Sequence, residues 1–263
     1  QVLTTDGSGA VTFATAGGGP TFYAETFTSG DPLPTATGTS CFAIGAYSSA
    51  SAFGTIALGY DVQATSLSST AIGRNSSGAA SVATSGNAAT ALGGSYASGT
   101  DSFAAAIANN SASYGATGAN SVAMGSRAKS SGGQGIAMGF QALASGARAF
   151  AVSNNANAGG TDSLAIGRST SASATNSVAL GYGPVSSIVG KFAYAAHALA
   201  GAGSSQTGTF VLLTSTTDAT PKALSTNAGT AGTTNQIILP NNSAYAFSGT
   251  IVARQQASQG TAS

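Results

Sequence analysis

The stretch Ser121-Val122-Ala123-Met124-Gly125 returns fourteen residues later as Gly135-Ile136-Ala137-Met138-Gly139. Both copies contain an apolar residue, an alanine, a second apolar residue and a glycine. The glycine position of this unit recurs at 45, 59, 73, 125, 139, 153, 167 and 181, and position 153 carries serine instead. A fixed period of this kind is typical of repeat architectures, in which each period is one structural unit. The sequence therefore predicts a stack of fourteen-residue units over residues 41–183.

Each unit contains the pattern of a short strand followed by a turn. Val122 and Met124 point to one face of the strand and Ala123 to the other, because side chains alternate. The glycine that follows permits a backbone reversal. The third and fifth residues after it are small, as at Ala128 and Ser130, which predicts a second short strand. The predicted fold class is all-β: a parallel β-roll, or solenoid, whose coils stack in register at about 4.8 Å per coil.

The larger apolar residues of the first strands are expected to form the buried core. They are Val122, Met124, Ile136, Met138, Leu164, Ile166, Val178 and Leu180. The middle of the repeat region is less regular. Residues 90–93 and 103–106 are interpreted as degenerate copies with insertions around them, and residues 81–85 as a further weak copy.

The unit Asn120-Ser121-Val122-Ala123-Met124-Gly125 and its echo at 176–181 resemble the repeat of YadA-like heads. Those heads belong to trimeric autotransporter adhesins, and related repeats occur in phage fibres. The resemblance covers about residues 40–183 and implies a left-handed roll and a homotrimer. A lone roll buries little apolar area, and burial contributes roughly 25 cal/mol per Å², so a lone protomer is expected to be marginal.

The regions outside the repeats lack the fourteen-residue pattern. Residues 1–40 are interpreted as an attachment or capping segment, with a turn at Asp6-Gly7 followed by a strand. Residues 184–263 are interpreted as a small C-terminal β domain with strands at 209–214, 236–240 and 244–255. Residues 241–255 resemble segments of phage tail-fibre proteins. The turn-like ending at 259–263 suggests that this domain is incomplete.

The composition offers few groups for catalysis or metal binding. Charged residues make up 6% of the chain, with a formal net charge of +1, against roughly 25% in average soluble domains. The single histidine, His197, is interpreted as structural, and the single cysteine, Cys41, as a small and partly buried apolar residue. We expect no catalytic residues, metal or cofactor. No basic stripe for nucleic acid and no apolar run of about 20 residues for membrane insertion occur.

The position directly after the repeat glycine carries the most informative side chains. Large residues recur there at Tyr60, Arg74, Phe140, Arg168 and Tyr182. At equivalent positions of stacked coils they would form a ladder along the rod. Aromatic residues and arginine are the types that carry binding energy at interfaces. Two interpretations stay open: the ladder binds a surface receptor, or it packs protomers of the trimer together.

These patterns favour a structural fibre protein on a virion surface, such as a tail fibre. Its partners would be other virion proteins and a bacterial surface receptor, either polysaccharide or protein. The alternative is the head of a bacterial trimeric autotransporter adhesin, on the bacterial cell surface, that binds host or matrix surfaces. An ice-binding solenoid would need a fixed Thr-x-Thr row, which is not found, and the few acidic residues argue against a fibre-borne depolymerase.

Overall fold

The computed structural model describes residues 4–5, 11–12, 30–74, 78, 80–105, 113–216, 218, 220–239 and 243–252. This part of the chain contains β-strands and no helix, and hence no helix long and apolar enough to cross a membrane. The first two strands, β1 (Thr4–Thr5) and β2 (Val11–Thr12), pair antiparallel. A strand after Asp6-Gly7 is thus confirmed, whereas the predicted turn lies outside the described residues.

The alanine-centred units form one long parallel sheet, called sheet 1. Its strands are β4 (Phe42–Ile44), β6 (Ile56–Leu58), β8 (Thr70–Ile72), β10 (Thr90–Leu92), β12 (Phe103–Ala105), β14 (Val122–Met124), β16 (Ile136–Met138), β18 (Phe150–Val152), β20 (Leu164–Ile166), β22 (Val178–Gly181) and β24 (Phe192–Ala195). A twelfth strand, β25 (Thr207–Thr209), pairs antiparallel with β24 at the end of the sheet.

The second strand of each coil belongs to a second parallel sheet, called sheet 2. Its strands are β3 (Thr35–Ala36), β5 (Ser49–Ala50), β7 (Gln63–Ala64), β9 (Val82–Ala83), β11 (Tyr96–Ala97), β13 (Gly115–Ala116), β15 (Lys129–Ser130), β17 (Leu143–Ala144), β19 (Asn157–Ala158), β21 (Ser171–Ala172) and β23 (Val185–Ser186). The chain alternates between the two sheets, which confirms the parallel β-roll.

The register of pairing follows the fourteen-residue period. Ala123 pairs with Ala137, and the same offset continues to Ala179 and Ala193. Solenoid strands therefore run from Thr35 to Ala195, beyond both bounds of the repeat region predicted at 41–183. About eleven coils at about 4.8 Å each give a rod on the order of 50 Å long.

The irregular middle of the repeat region keeps this architecture, because its two insertions lengthen the same type of turn in two coils. The degenerate copies at 90–93 and 103–106 are confirmed as β10 and β12 of sheet 1. The weak copy proposed at 81–85 is wrong, because β9 pairs with β7 and belongs to sheet 2. Ala64 pairs with Ala83 and Ala97 with Ala116, each pair 19 positions apart. Both insertions fall in the turn that leads from sheet 1 to sheet 2.

The space between the two sheets is filled by alanine and serine. The central alanine of the sheet 1 strands from β6 to β22 is fully buried, and Val62 is the largest fully buried side chain. The prediction that Val122, Met124, Ile136, Met138, Leu164, Ile166, Val178 and Leu180 form the core is wrong for the protomer. Met124, Met138 and Ile166 are 37–38% exposed, and the other five are half-buried on the outer face. Alanine occupies the inner face because the gap between the two sheets is too narrow for larger side chains.

In the turns that lead into sheet 1, buried hydroxyl groups donate hydrogen bonds to backbone carbonyl groups. Thr55, Ser163 and Ser177 each donate a hydrogen bond to the carbonyl three residues earlier, at 2.6–2.9 Å. Cys41 occupies the same place in the first coil, and its Sγ donates to the Gly38 carbonyl at 2.8 Å. Cys41 is therefore more than a small apolar residue, because its thiol replaces the hydroxyl donor of later coils.

The repeat glycine adopts a backbone conformation that other residues avoid. Its φ is +110° at Gly125 and +119° at Gly139. Ser153 holds the same position with a φ of +109°. A residue with a Cβ is strained there, at a cost on the order of 1–3 kcal/mol.

Replacing Ser153 with glycine is therefore expected to stabilise the protein by about 1 kcal/mol, because strain relief exceeds the added entropy of the unfolded chain. Thermal unfolding followed by circular dichroism measures the change. Ser145→Gly, at an exposed position without positive φ, serves as the control and should lower stability slightly. A Ser153→Gly protein that melts below the parent would contradict the strained turn.

The last coil is closed by residues 196–239. The Gln206 side chain accepts a hydrogen bond from the Val185 N–H at 2.7 Å and donates one to the Val185 carbonyl at 3.1 Å. Lys191 Nζ donates to the same carbonyl at 2.9 Å, and burial lowers the pKa of Lys191. Gln206 thus pairs with β23 as a neighbouring strand would, and β25 does the same for β24. Covering open edges prevents uncontrolled strand pairing.

The predicted C-terminal strands are not formed as expected. Residues 209–214 contribute only the end of β25 and an isolated bridge between Leu213 and Ser225. Residues 236–239 and 244–252 carry no strand; positions 240 and 253–255 lie outside the described residues. A strand requires a neighbour that accepts its hydrogen bonds, and the described residues offer none to these two segments.

Candidate functional site

The outer face of sheet 1 carries two rows of large apolar side chains, one on each side of the buried alanines. We call it the apolar face. One row contains Phe42, Ile56, Phe103, Val122, Ile136, Phe150, Leu164, Val178 and Phe192; the other contains Ile44, Leu58, Ile72, Leu92, Met124, Met138, Val152, Ile166, Leu180 and Tyr194. All of these residues are exposed or half-buried. A contiguous apolar surface of this length marks an interaction site on a folded protein.

The outer face of sheet 2 is more polar by comparison. Its strands present side chains such as Ser49, Gln63, Lys129, Asn157 and Ser171. Sheet 1 therefore carries the more apolar of the two outer faces, although sheet 2 also presents Leu143 and Val185.

The turn that leads from sheet 1 to sheet 2 forms a second surface, which we call the turn edge. All five predicted ladder residues lie on it, at the first position after the repeat glycine. They are Tyr60, Arg74, Phe140, Arg168 and Tyr182. Four of them are exposed, and Tyr182 is half-buried.

At the amino-terminal end of the turn edge the side chains stack on one another. The Tyr60 ring lies 5.1 Å from the Tyr47 ring, and the guanidinium of Arg74 lies 4.6 Å from the Tyr60 ring centroid. Partial burial raises the pKa of Tyr47, and so do Tyr60 and Asp31. The sequence ladder missed Tyr47, since it stands one position further into the turn, at a φ of +62°.

A similar stack closes the carboxyl-terminal end. The guanidinium of Arg168 lies 5.1 Å from the Tyr182 ring centroid, and the His197 ring meets Tyr182 edge-on at 5.0 Å. Phe140 stands between the two stacks at 44% exposure, and its neighbours in the ladder are Ser126 and Asn154. The structure therefore gathers four of the five predicted residues into two stacks and leaves Phe140 apart from both.

The model of the YadA head domain repeat matches residues 50–76, 116–142, 130–152 and 158–183. The coils within these stretches match the YadA head domain repeat. No curated protein matches the chain. The matched stretches stop on either side of the lengthened turns between β8 and β13, where the fourteen-residue period is interrupted. YadA head repeats indicate an adhesin-type protein at an exposed surface, of a family that is typically structural rather than enzymatic.

The turn that leads from sheet 2 to sheet 1 carries an ion pair between adjacent coils. Arg148 and Asp162 occupy equivalent positions of adjacent coils, and Arg148 donates two hydrogen bonds to the carboxylate, at 2.6 and 2.8 Å. These bonds hold the pKa of Asp162 below its ordinary value and raise that of Arg148. The described residues include no group of three or more potential metal ligands.

The stacked tyrosines of the ladder and the exposed Phe140 are expected to contribute differently to the free energy of unfolding. Tyr60→Ala and Tyr182→Ala should each lower the free energy of unfolding by about 1 kcal/mol, because each removes an aromatic and a cation–π contact. Phe140→Ala should change it by less than about 0.5 kcal/mol, as expected at a surface position. Chemical denaturation of the three variants measures this, and a Phe140→Ala loss as large as the other two would contradict it.

Proposed function

We propose that this protein is a structural, non-catalytic fibre protein of a virion that attaches to a bacterial cell surface as a homotrimer. The observation that carries the proposal is the apolar face. Its nineteen side chains remain exposed or half-buried in one protomer, although burying an apolar side chain contributes roughly 1.5–3 kcal/mol. Three rolls around one axis would bury these rows against each other and produce a second core outside the alanine core.

The trimeric rod suits attachment because it repeats every surface site three times. Linked sites bind far more tightly than single ones when they can engage together. The two turn-edge stacks and Phe140 lie along the length of the rod, so one protomer already offers several contacts.

The second candidate is the head of a bacterial trimeric autotransporter adhesin, and the YadA head repeat itself favours it. The virion assignment is supported by the resemblance of residues 241–255 to tail-fibre segments. It is also supported by the segment after the last coil, where β25 runs antiparallel to β24 and Gln206 pairs with Val185 instead of a heptad-repeat helix beginning there. Other virion proteins are the partners that this assignment implies.

The proposal is tested by adsorption of the purified, fluorescently labelled protein to a panel of bacterial strains and to plates coated with extracellular-matrix proteins. We expect saturable binding to some bacterial strains and none to the matrix proteins. Binding to matrix proteins alone would instead support the autotransporter head.

A further inference from the structure

Three arginines are spaced regularly along the turn edge. Arg74 follows β8, Arg127 follows β14 and Arg168 follows β20. Three coils separate each arginine from the next. At about 4.8 Å per coil, neighbouring arginines stand about 14 Å apart along the rod axis.

These arginines are exposed and form no ion pair with an acidic side chain among the described residues. The ion pair of the described residues, Arg148 with Asp162, lies on the opposite turn. Arg74 donates to the Gly78 carbonyl, and no carboxylate lies within 4 Å of Arg127 or Arg168 among the described residues. Asp31 and Asp61 are the acidic side chains on the turn edge in the described coils, and both lie at its amino-terminal end. The edge therefore carries a surplus of positive charge in a protein whose net charge is only +1.

Aromatic rings hold the same turn position as Arg74 and Arg168, the first after the repeat glycine, whereas Arg127 stands one position further into its turn. Tyr60 and Tyr182 stack on Arg74 and Arg168, while Phe140 is exposed between them. A guanidinium recognises carboxylates by two parallel hydrogen bonds, and an exposed ring offers an apolar surface to the CH groups of a sugar.

We propose that the turn edge binds a linear acidic polysaccharide that lies along the rod, with its carboxylates on Arg74, Arg127 and Arg168. This inference rests on the proposed function, because it names the receptor class of the same adhesin. A nucleic acid fits less well, because three arginines about 14 Å apart form no continuous basic stripe along the described turn edge, which also carries Asp61.

The test compares the double variant Arg127→Gln/Arg168→Gln with the control Lys129→Gln/Lys222→Gln. The control removes the same number of positive charges outside the turn edge, from strand β15 and from the C-terminal segment. The probe is polygalacturonate, and its fully methyl-esterified form is the uncharged control. Binding is measured by biolayer interferometry at low and at physiological salt. We expect at least a tenfold loss of affinity in the arginine variant, little change in the lysine variant, and weaker binding of both the ester and the high-salt samples.

Equal affinity of the two variants, equal binding of the ester, or preference for a single-stranded oligonucleotide of the same charge would overturn the inference. Cell adsorption separates it from the proposed function. Adsorption to bacteria that polygalacturonate does not inhibit would refute the inference and leave the attachment function standing. Polygalacturonate binding without adsorption to any bacterial strain would support the inference and remove the attachment function.

Discussion

A protein in which Ile136 and Leu164 are both replaced by lysine is expected to lose the proposed trimeric assembly and most of its thermal stability. Both side chains belong to the apolar face, so a trimer would bury six lysines around its axis. An unpaired charge taken out of water costs several kcal/mol even after the structure relaxes. Light scattering after gel filtration measures the mass, and differential scanning calorimetry measures Tm, which we expect to fall by more than 20 °C.

The control for this change is Leu143→Lys/Ser171→Lys, on the outer face of sheet 2. Both positions are half-buried in the protomer, as Ile136 and Leu164 are, so protomer exposure alone predicts equal effects of the two pairs. We expect the control to keep the parent mass and to melt within a few degrees of the parent. A trimer that survives the Ile136/Leu164 change with its Tm intact would show that the apolar face faces solvent.

Replacing Gly132 with alanine is expected to destabilise the protein far more than the same change at its neighbour, Gly133. A Cβ on Gly132 would lie 1.9 Å from the Gly146 carbonyl oxygen of the next coil. A Cβ on Gly133 would meet only the Ala119 carbonyl oxygen, at 3.9 Å. Relieving the first contact requires the backbone of the Gly132 turn to shift, as in the coils that carry Ala52 or Ala174 at the equivalent position.

We expect a loss on the order of 2–4 kcal/mol in the free energy of unfolding for Gly132→Ala. Gly133→Ala should be neutral or slightly stabilising, because alanine restricts the unfolded chain. Urea denaturation of both variants gives the two values directly. If the two substitutions cost the same, the coils do not stack as closely as the structure shows.

Periodicity made most of the fold predictable. The eightfold return of the glycine position implied stacked coils, and small side chains at positions such as Ala128 and Ser130 implied the second strand. The alternation of side chains does not by itself say which face of each first strand points into the protomer. The assumption that the larger side chains lie inside gave the wrong face, because the narrow gap between the sheets accepts only residues such as Ala123 and Ala137.

The turn edge was predictable in part. The ladder at Tyr60, Arg74, Phe140, Arg168 and Tyr182 follows from register alone, and the structure places all five on one edge. Which of them stack depends on turn geometry outside the register, as with Tyr47 and His197. Gln206 gave no sequence signal, because its pairing with Val185 depends on how a non-repeating segment folds back on the last coil.

Sedimentation equilibrium of the unmodified protein tests most directly whether the apolar face is the core of a trimer. The prediction is a single species of three times the 25.0 kDa chain mass, unchanged on dilution to nanomolar concentration. A stable, folded species of one chain mass would contradict it, since the nineteen side chains of the apolar face would then remain in water.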